Sequence, residues 1–418
     1  MKQYPLLHHR GAKPAFGLFM LALLFLSRDT LFSSCIVGFA KSQILMLGLI
    51  LLLGLVFLWV NRRDFAEILK DRRTVALLVS ALVLLLPMIL KRDWQLMYFS
   101  ILLCVLTAVL LTYFTSSREV AKYYVVILTV LGLYSMVVTY GLKAPARAGL
   151  ITPRVFYNSN DWEFFDFGLA YVMTGKYWHR NFGIFREPGV YQFFVLLAVY
   201  LNNYHVDWDR QWKLWACNVA LAFTMLTTFA IGGFAELGLL IVFLYFDKKW
   251  YRENWGKAAG IAAVLALIGA LGYFFYSMHQ PGFNKSILYE FYDMFIRLTT
   301  DSDSLLDRRD AVATNLKFFF DNPLVGEPIA AVLHGTNHNT SSTMLLYAIL
   351  GLVGGTLNVA AWIALLWKRE RKLPGNLILL VILFMSFNTQ NLVANVFFWL
   401  FPMMALVERG LPSVKRRE

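Results

Sequence analysis

Long apolar runs alternate with short polar ones along almost the whole chain. Runs close to the ~20 residues that an α-helix needs to cross a bilayer fall at roughly 15–36, 43–60, 74–90, 94–114, 121–141, 186–204, 212–229, 232–246, 257–276, 340–366, 375–390 and 392–407. Each reads as a helix, which predicts an all-α polytopic membrane protein with about twelve transmembrane spans. Ser27, Arg28 and Asp29 interrupt the first of them. The turns at Gly232 and at Asn388 to Asn391 are very short, so the helices they join are expected to be antiparallel hairpins.

Composition agrees with this pattern. Of 418 residues, 58% are hydrophobic and 16% charged, against about 45–50% and roughly 25% in soluble proteins. The net charge of +13 would suit a nucleic-acid partner, but Lys and Arg gather in short segments between apolar runs, as membrane topology requires. With a cytoplasmic amino terminus, the short inner segments are rich in Lys and Arg and the short outer ones are poor in them, so both termini are expected in the cytoplasm. No small-residue cleavage site clearly follows the first run, which reads as a retained helix. Cys35, Cys104 and Cys217 lie in or beside separate apolar segments and form no paired motif, so neither a disulfide framework nor a zinc site is expected.

Within this single membrane domain (1–418), two outer segments are long: 142–185 and 277–339. Function tends to sit where long loops meet a rigid scaffold, so the outer, periplasm-facing side is the expected working side. In the first loop, Asn160 reads as an N-cap, and the aromatic-rich run to Trp178 suits a short helix lying in the membrane interface. In the second, Leu305, Val312, Leu316 and Phe319 recur at roughly helical spacing until Pro323 and Gly326 end the element. That helix would lie across the bundle like a lid.

The candidate chemistry gathers around these loops. Arg186 and Glu187 stand with Pro188 and Gly189 at the mouth of a membrane helix. Such a pair can anchor a helix at the headgroup level, but Pro188 turns Glu187 out of helical geometry and Gly189 allows close backbone approach. His338 and Asn339 precede Thr340, Ser341 and Ser342, a run of N-capping residue types at a helix start that would suit an anion. His338 there could serve as a base, as a donor to phosphate, or as part of a capping loop. Arg308 and Arg309 stand beside Asp307 and Asp310, as a solvated charge face would, yet a guanidinium is well shaped for phosphate. Glu236 is an intramembrane carboxylate, first a partner for an arginine and second a base. No Walker A loop and no metal-ligand set is present in the sequence, so no cofactor and no metal is expected.

The motifs GIFREPGVYQFF (Gly183 to Phe194), TTFAIGGFAELG, DRRDAVATNLKFFFDNPLVGEP (Asp307 to Pro328) and HNTSSTMLLYAILGLVGG (His338 to Gly355) resemble, in that order, the O-antigen polymerase and ligase superfamily. The resemblance covers roughly residues 150–360 and the twelve-span topology. It implies a GT-C-like bundle in the bacterial inner membrane and an inverting, metal-independent glycosyltransferase. The donor and acceptor would be oligosaccharides linked to undecaprenyl pyrophosphate, with a chain-length regulator as a further protein partner. Arg186 falls on the first-loop arginine that holds pyrophosphate, Arg308 or Arg309 on the second-loop arginine, and His338 on the catalytic histidine. TTFAIGGF lacks the Ser-Arg of many members, so no role passes to Thr227 or Thr228. The Glu-Pro-Gly of residues 187–189 is more like polymerases, which lengthen a lipid-linked glycan, than ligases, which move it to lipid A–core. A lipid-linked glycan transporter is the rival from another class, disfavoured by the scarcity of mid-membrane charge.

Overall fold

The computed structural model describes residues 12–60, 70–158, 161–175, 179–280, 303–335 and 340–409, together with residue 292. The described chain is mostly helical, and each of the twelve apolar stretches contains a helix. In order these are α1 (Ala12–Leu26), α2 (Phe39–Val60), α3 (Arg72–Lys91), α4 (Leu96–Phe114) and α5 (Ser117–Val137), which runs on through a π-helical turn to Arg147. After the first long loop come α6 (Pro188–Tyr204), α7 (Gln211–Thr227), α8 (Ile231–Asp247) and α9 (Asn254–Met278). The second loop carries α10 (Asp303–Asp321) and α11 (Ile329–His334), and the chain closes with α12 (Ser342–Leu366), α13 (Leu373–Asn388) and α14 (Val396–Arg409).

Among the described residues, five segments are long and apolar enough to cross a membrane: Phe39–Val56, Arg72–Lys91, Leu96–Phe114, Ser117–Arg147 and Ser342–Leu366. With the shorter apolar helices, they make this a helical membrane protein. Nearly every side chain of α6 from Pro188 to Asn203 is buried, and α14 is buried almost as completely. A helix apolar on all sides belongs at the centre of a bundle. The peripheral helices turn leucines outward instead: Leu78 and Leu82 of α3 are 63% and 62% exposed, as a lipid-facing surface requires.

The first long loop departs from the sequence expectation. The interfacial helix expected between Asn160 and Trp178 is replaced by a three-stranded antiparallel sheet, β1 (Arg154–Tyr157), β2 (Glu163–Asp166) and β3 (Tyr171–Met173). Val155 pairs with Phe165, and Phe165 in turn with Val172. Aromatic and β-branched residues suit a half-buried pleated surface. The Asp166 carboxylate accepts the Gly168 amide at 2.7 Å to close the turn between β2 and β3. Phe164 alone of β2 is fully buried, stacked on Phe156 and edge-on to Phe182. Asn160, its expected N-cap, lies outside the described residues. The fold is therefore helical with one small sheet rather than all-α.

The second loop contains the expected helix, α10, which packs along α12 with Phe319 edge-on to Tyr347 at 5.4 Å. Beyond it the chain enters a break in α12. At Gly351 the backbone turns to φ 65°, and Leu352 N donates to Pro323 O at 2.7 Å while Glu327 N donates to Ala348 O at 2.7 Å. Lys91 of α3 then reaches three carbonyls: Ile349 at 2.6 Å and Val325 and Glu327 at 3.0 Å each. Open backbone at membrane depth is tolerated only where protein satisfies it, and here a loop and one ammonium do so. The other short turn also differs from expectation. α7 and α8 pack together, but α14 packs chiefly along α4 and α12 rather than back along α13. Residues 389–395 make specific bonds to other elements and carry the chain across the bundle.

Candidate functional site

The first predicted span does not run to residue 36. α1 stops at Leu26, where hydroxyls cap its last carbonyls: Ser27 Oγ donates to Leu24 O at 2.8 Å and Thr30 Oγ1 to Phe25 O at 2.6 Å. The released segment pairs with the chain approaching α6. Thr30 and Phe185 form an antiparallel bridge, Leu31 N donates to Ile184 O at 2.9 Å, and Arg186 N donates to Asp29 O at 3.0 Å. On the other side, Tyr171 N of β3 donates to Gly183 O at 2.8 Å. Asn181 is held by Thr227, whose carbonyl and hydroxyl accept its amide and side-chain nitrogens at 2.8 and 3.0 Å. Residues 181–186 are thus clamped from both sides, and Thr227 is part of the clamp.

Asp29 is the centre of this arrangement. Its carboxylate is almost wholly buried; Oδ1 lies 3.4 Å from Arg186 Nε, and Oδ2 accepts Asn395 Nδ2 at 3.0 Å. Asn395 Oδ1 in turn accepts Phe397 N at 3.0 Å, which starts α14. The side chain of Arg186 as a whole remains 38% exposed, although its Nε is buried. Arg28, on the other side of Asp29, lies 5.0 Å over the Phe39 ring, and one of its terminal nitrogens is buried without a hydrogen-bond partner. Two arginines therefore flank Asp29, with Glu187 as a further carboxylate within electrostatic reach of Arg186. Arg28 and Asp29 escape a hydropathy reading because they only interrupt an apolar run; a charged pair there was the signal.

Glu187 occupies the N-cap position of α6 with extended backbone (φ −145°, ψ 144°), as Pro188 in the first turn demands. Its side chain makes no capping bond and stays partly exposed. Gly189 lets the Gln390 amide come close to the helix mouth, where a Cβ would meet the far end of that side chain and displace it. The Gln390 carbonyl accepts the Ser342 hydroxyl, and the same hydroxyl oxygen accepts Leu392 N at 2.8 Å. The mouth of α6 is in this way tied to the start of α12.

At the start of α12 a side chain from a neighbouring helix takes up one of the free amides. Ser341 occupies the cap position but makes no capping bond. Asn388, from the end of α13, instead accepts Thr343 N and Ser341 Oγ, both at 3.0 Å. His338 and Asn339 lie outside the described residues. Glu236 is buried on α8, facing Ser386 of α13 and within the electrostatic reach of Arg308. One of its carboxylate oxygens has no hydrogen-bond partner, and neither has Gln192 Oε1 across from Gly233. Buried polar atoms are nearly always paired, so these mark a place built for polar contact. Arg308 is partly buried, whereas Arg309 is exposed with Asp310 at 3.8 Å.

The structure brings Arg28, Asp29, Arg186 and Glu187 together at the mouth of α6, and separately places Glu236 of α8 within electrostatic reach of Arg308 of α10. Among the described residues no group of three or more His, Cys, Asp or Glu is placed to hold a metal ion. The apolar hollow between Leu133 and Met136 of α5 and Trp215 and Phe223 of α7 contains no titratable side chain and stands apart from this set. No protein-family model matches the chain, and no curated protein matches it.

Proposed function

We propose that this protein is a polysaccharide polymerase of the bacterial inner membrane, moving a growing glycan from undecaprenyl pyrophosphate onto a lipid-linked repeat unit. The observation that carries this reading is the fixing of Arg186 by buried Asp29 beside an uncommitted Glu187, with Arg28 as a second cation. In this reading the twelve apolar helices cross the membrane as a GT-C-like bundle, both termini lie in the cytoplasm, and the arginine-bearing loops face the periplasm.

The acceptor hydroxyl oxygen attacks the anomeric carbon as the bond to the pyrophosphate oxygen breaks, inverting that centre. The electron pair leaves on the pyrophosphate, where Arg186 and Arg308, with Arg28 behind, neutralise the charge that develops. Glu187 or His338 takes the hydroxyl proton. Arg308 is preferred to Arg309 because it faces Glu236 while Arg309 faces solvent.

The test is gel analysis of surface polysaccharide in a cell lacking the protein, complemented with wild type, Arg186→Ala or His338→Ala at matched membrane abundance. Core capped by single repeat units in the deletion, not lengthened by the variants, supports the polymerase reading. Long undecaprenyl-linked glycan above bare core would make the protein a ligase instead. Normal polymer from both variants would overturn the site.

A further inference from the structure

At the far end of α6, the 17 residues from Pro188 lead to Tyr204, about 25 Å from the mouth at 1.5 Å per residue. Three cations surround the Tyr204 ring: Lys248 at 4.7 Å, Lys368 at 4.5 Å and Arg371 at 4.8 Å from its centroid. They come from the ends of α8 and α12 and the start of α13. Asp247 stands among them and is already engaged, and Glu370 lies within electrostatic reach of Lys368. Arg371 grips it with two bonds of 2.9 and 3.2 Å, and the Tyr204 hydroxyl donates to it as well. The Lys248 ammonium has a single neutral acceptor, Asn203 O at 2.9 Å. Three cations thus outnumber the two carboxylates in their reach, Asp247 and Glu370, and burial together with Lys248 and Arg371 holds the Lys368 ammonium below the usual lysine range.

The surface beside the cluster is apolar. Arg371 also lies 5.1 Å over Phe243, joining α8 to α13. One or two turns along these helices, Val242, Phe246, Leu377, Ile378 and Val381 are 45–61% exposed. Paired cations next to an outward apolar strip match a charged headgroup with its acyl chains.

We infer that Lys248, Lys368 and Tyr204 form a binding site for the headgroup of an anionic phospholipid, whose acyl chains lie along the outward faces of α8 and α13. The lipid phosphate would sit between the two ammonium groups, and the remaining headgroup would stay in water. Zwitterionic lipid offers the same phosphate but no net charge to offset the surplus. The site is independent of the proposed reaction, needing only that the helices lie in a bilayer.

Native mass spectrometry of the full chain in mild detergent tests this, with phosphatidylglycerol, phosphatidylcholine and glycerol 1-phosphate as probes. Phosphatidylglycerol should be retained on the order of tenfold more than phosphatidylcholine. Lys248→Gln/Lys368→Gln should bring it down to the phosphatidylcholine level, whereas Lys257→Gln/Lys372→Gln should not. The wild-type melting temperature should rise with phosphatidylglycerol, and that rise should vanish in either single variant, Lys248→Gln or Lys368→Gln, should the double variant not fold. Equal retention of both lipids, or undiminished phosphatidylglycerol binding by the cluster variants, would overturn the site. Glycerol 1-phosphate competing as well as the lipid would make it a soluble-phosphate site and overturn the lipid assignment.

Discussion

Asp29 holds Arg186 twice, by accepting its amide at 3.0 Å through the backbone carbonyl and by facing Nε at 3.4 Å through a buried carboxylate. Backbone and side chain of one residue thereby fix the backbone and side chain of another, 157 positions away in the numbering. The arginine at the mouth of α6 is a placed group rather than a floating anchor.

Replacing Asp29 separates its two roles. Asp29→Ala leaves Arg28 without its counter-charge and Arg186 with Glu187 alone, and should destabilise the protein by about 3 kcal/mol, the low end for a broken pair because Arg186 is partly exposed. A melt in detergent reads this. Asp29→Asn loses the same charge but keeps an oxygen to accept Asn395, so it should destabilise less than Asp29→Ala while lowering polymer output. Normal output at matched abundance would show that the pairing does not serve the reaction.

The two loop arginines should behave differently. Arg308→Gln should reduce polymer output about ten- to hundredfold, the loss of one hydrogen bond to a charged group. Arg309→Gln should leave it near wild type. The reverse ranking on the same gel would reassign the second-loop arginine.

The break in α12 should be intolerant. A Cβ at residue 351 would lie 2.2 Å from Leu324 O, and the φ of 65° disfavours any L side chain. Gly351→Ala should therefore remove folded protein from the membrane fraction. Lys91→Met leaves the carbonyls of Val325, Glu327 and Ile349 short of a donor, at a cost of about 1–3 kcal/mol for each group left unsatisfied. Wild-type melting of Lys91→Met would refute the plug.

His205, at the end of α6, makes a pH prediction. Burial above all, then Lys368 and Arg118, pushes its imidazole down to about 4. A base held below its unfolded value near 6.5 favours the fold above that pH, and this contribution is lost as pH falls towards 4, because the unfolded state then binds the extra proton. The melting temperature should drop between pH 7 and pH 4.5 by an amount that shrinks in His205→Phe. An unchanged slope in that variant would place the acid sensitivity elsewhere.

The apolar runs alone determined that this is a helical membrane protein, and nearly where its helices lie, because about 20 apolar residues without charge have few other fates beside a bilayer. Turn chemistry also determined that Glu187 would stand outside helical geometry at the mouth of α6, since Pro188 restricts its neighbour locally. Tertiary structure decided the rest. Arg28 and Asp29 look like defects in a span until α1 ends and they meet Arg186, a contact no local period encodes. The sheet at 154–173 was hidden because aromatic runs fit helical and strand surfaces alike, and the pairing of its three neighbouring strands, with Phe164 buried against Phe182, chose between them. Arg308 and Arg309 are adjacent in sequence, and only the packing of α10 turned one inward and left the other in solvent. Gly351 reads as an ordinary small residue in an apolar helix; the loop at Pro323 to Glu327 and the ammonium of Lys91 made a break there stable.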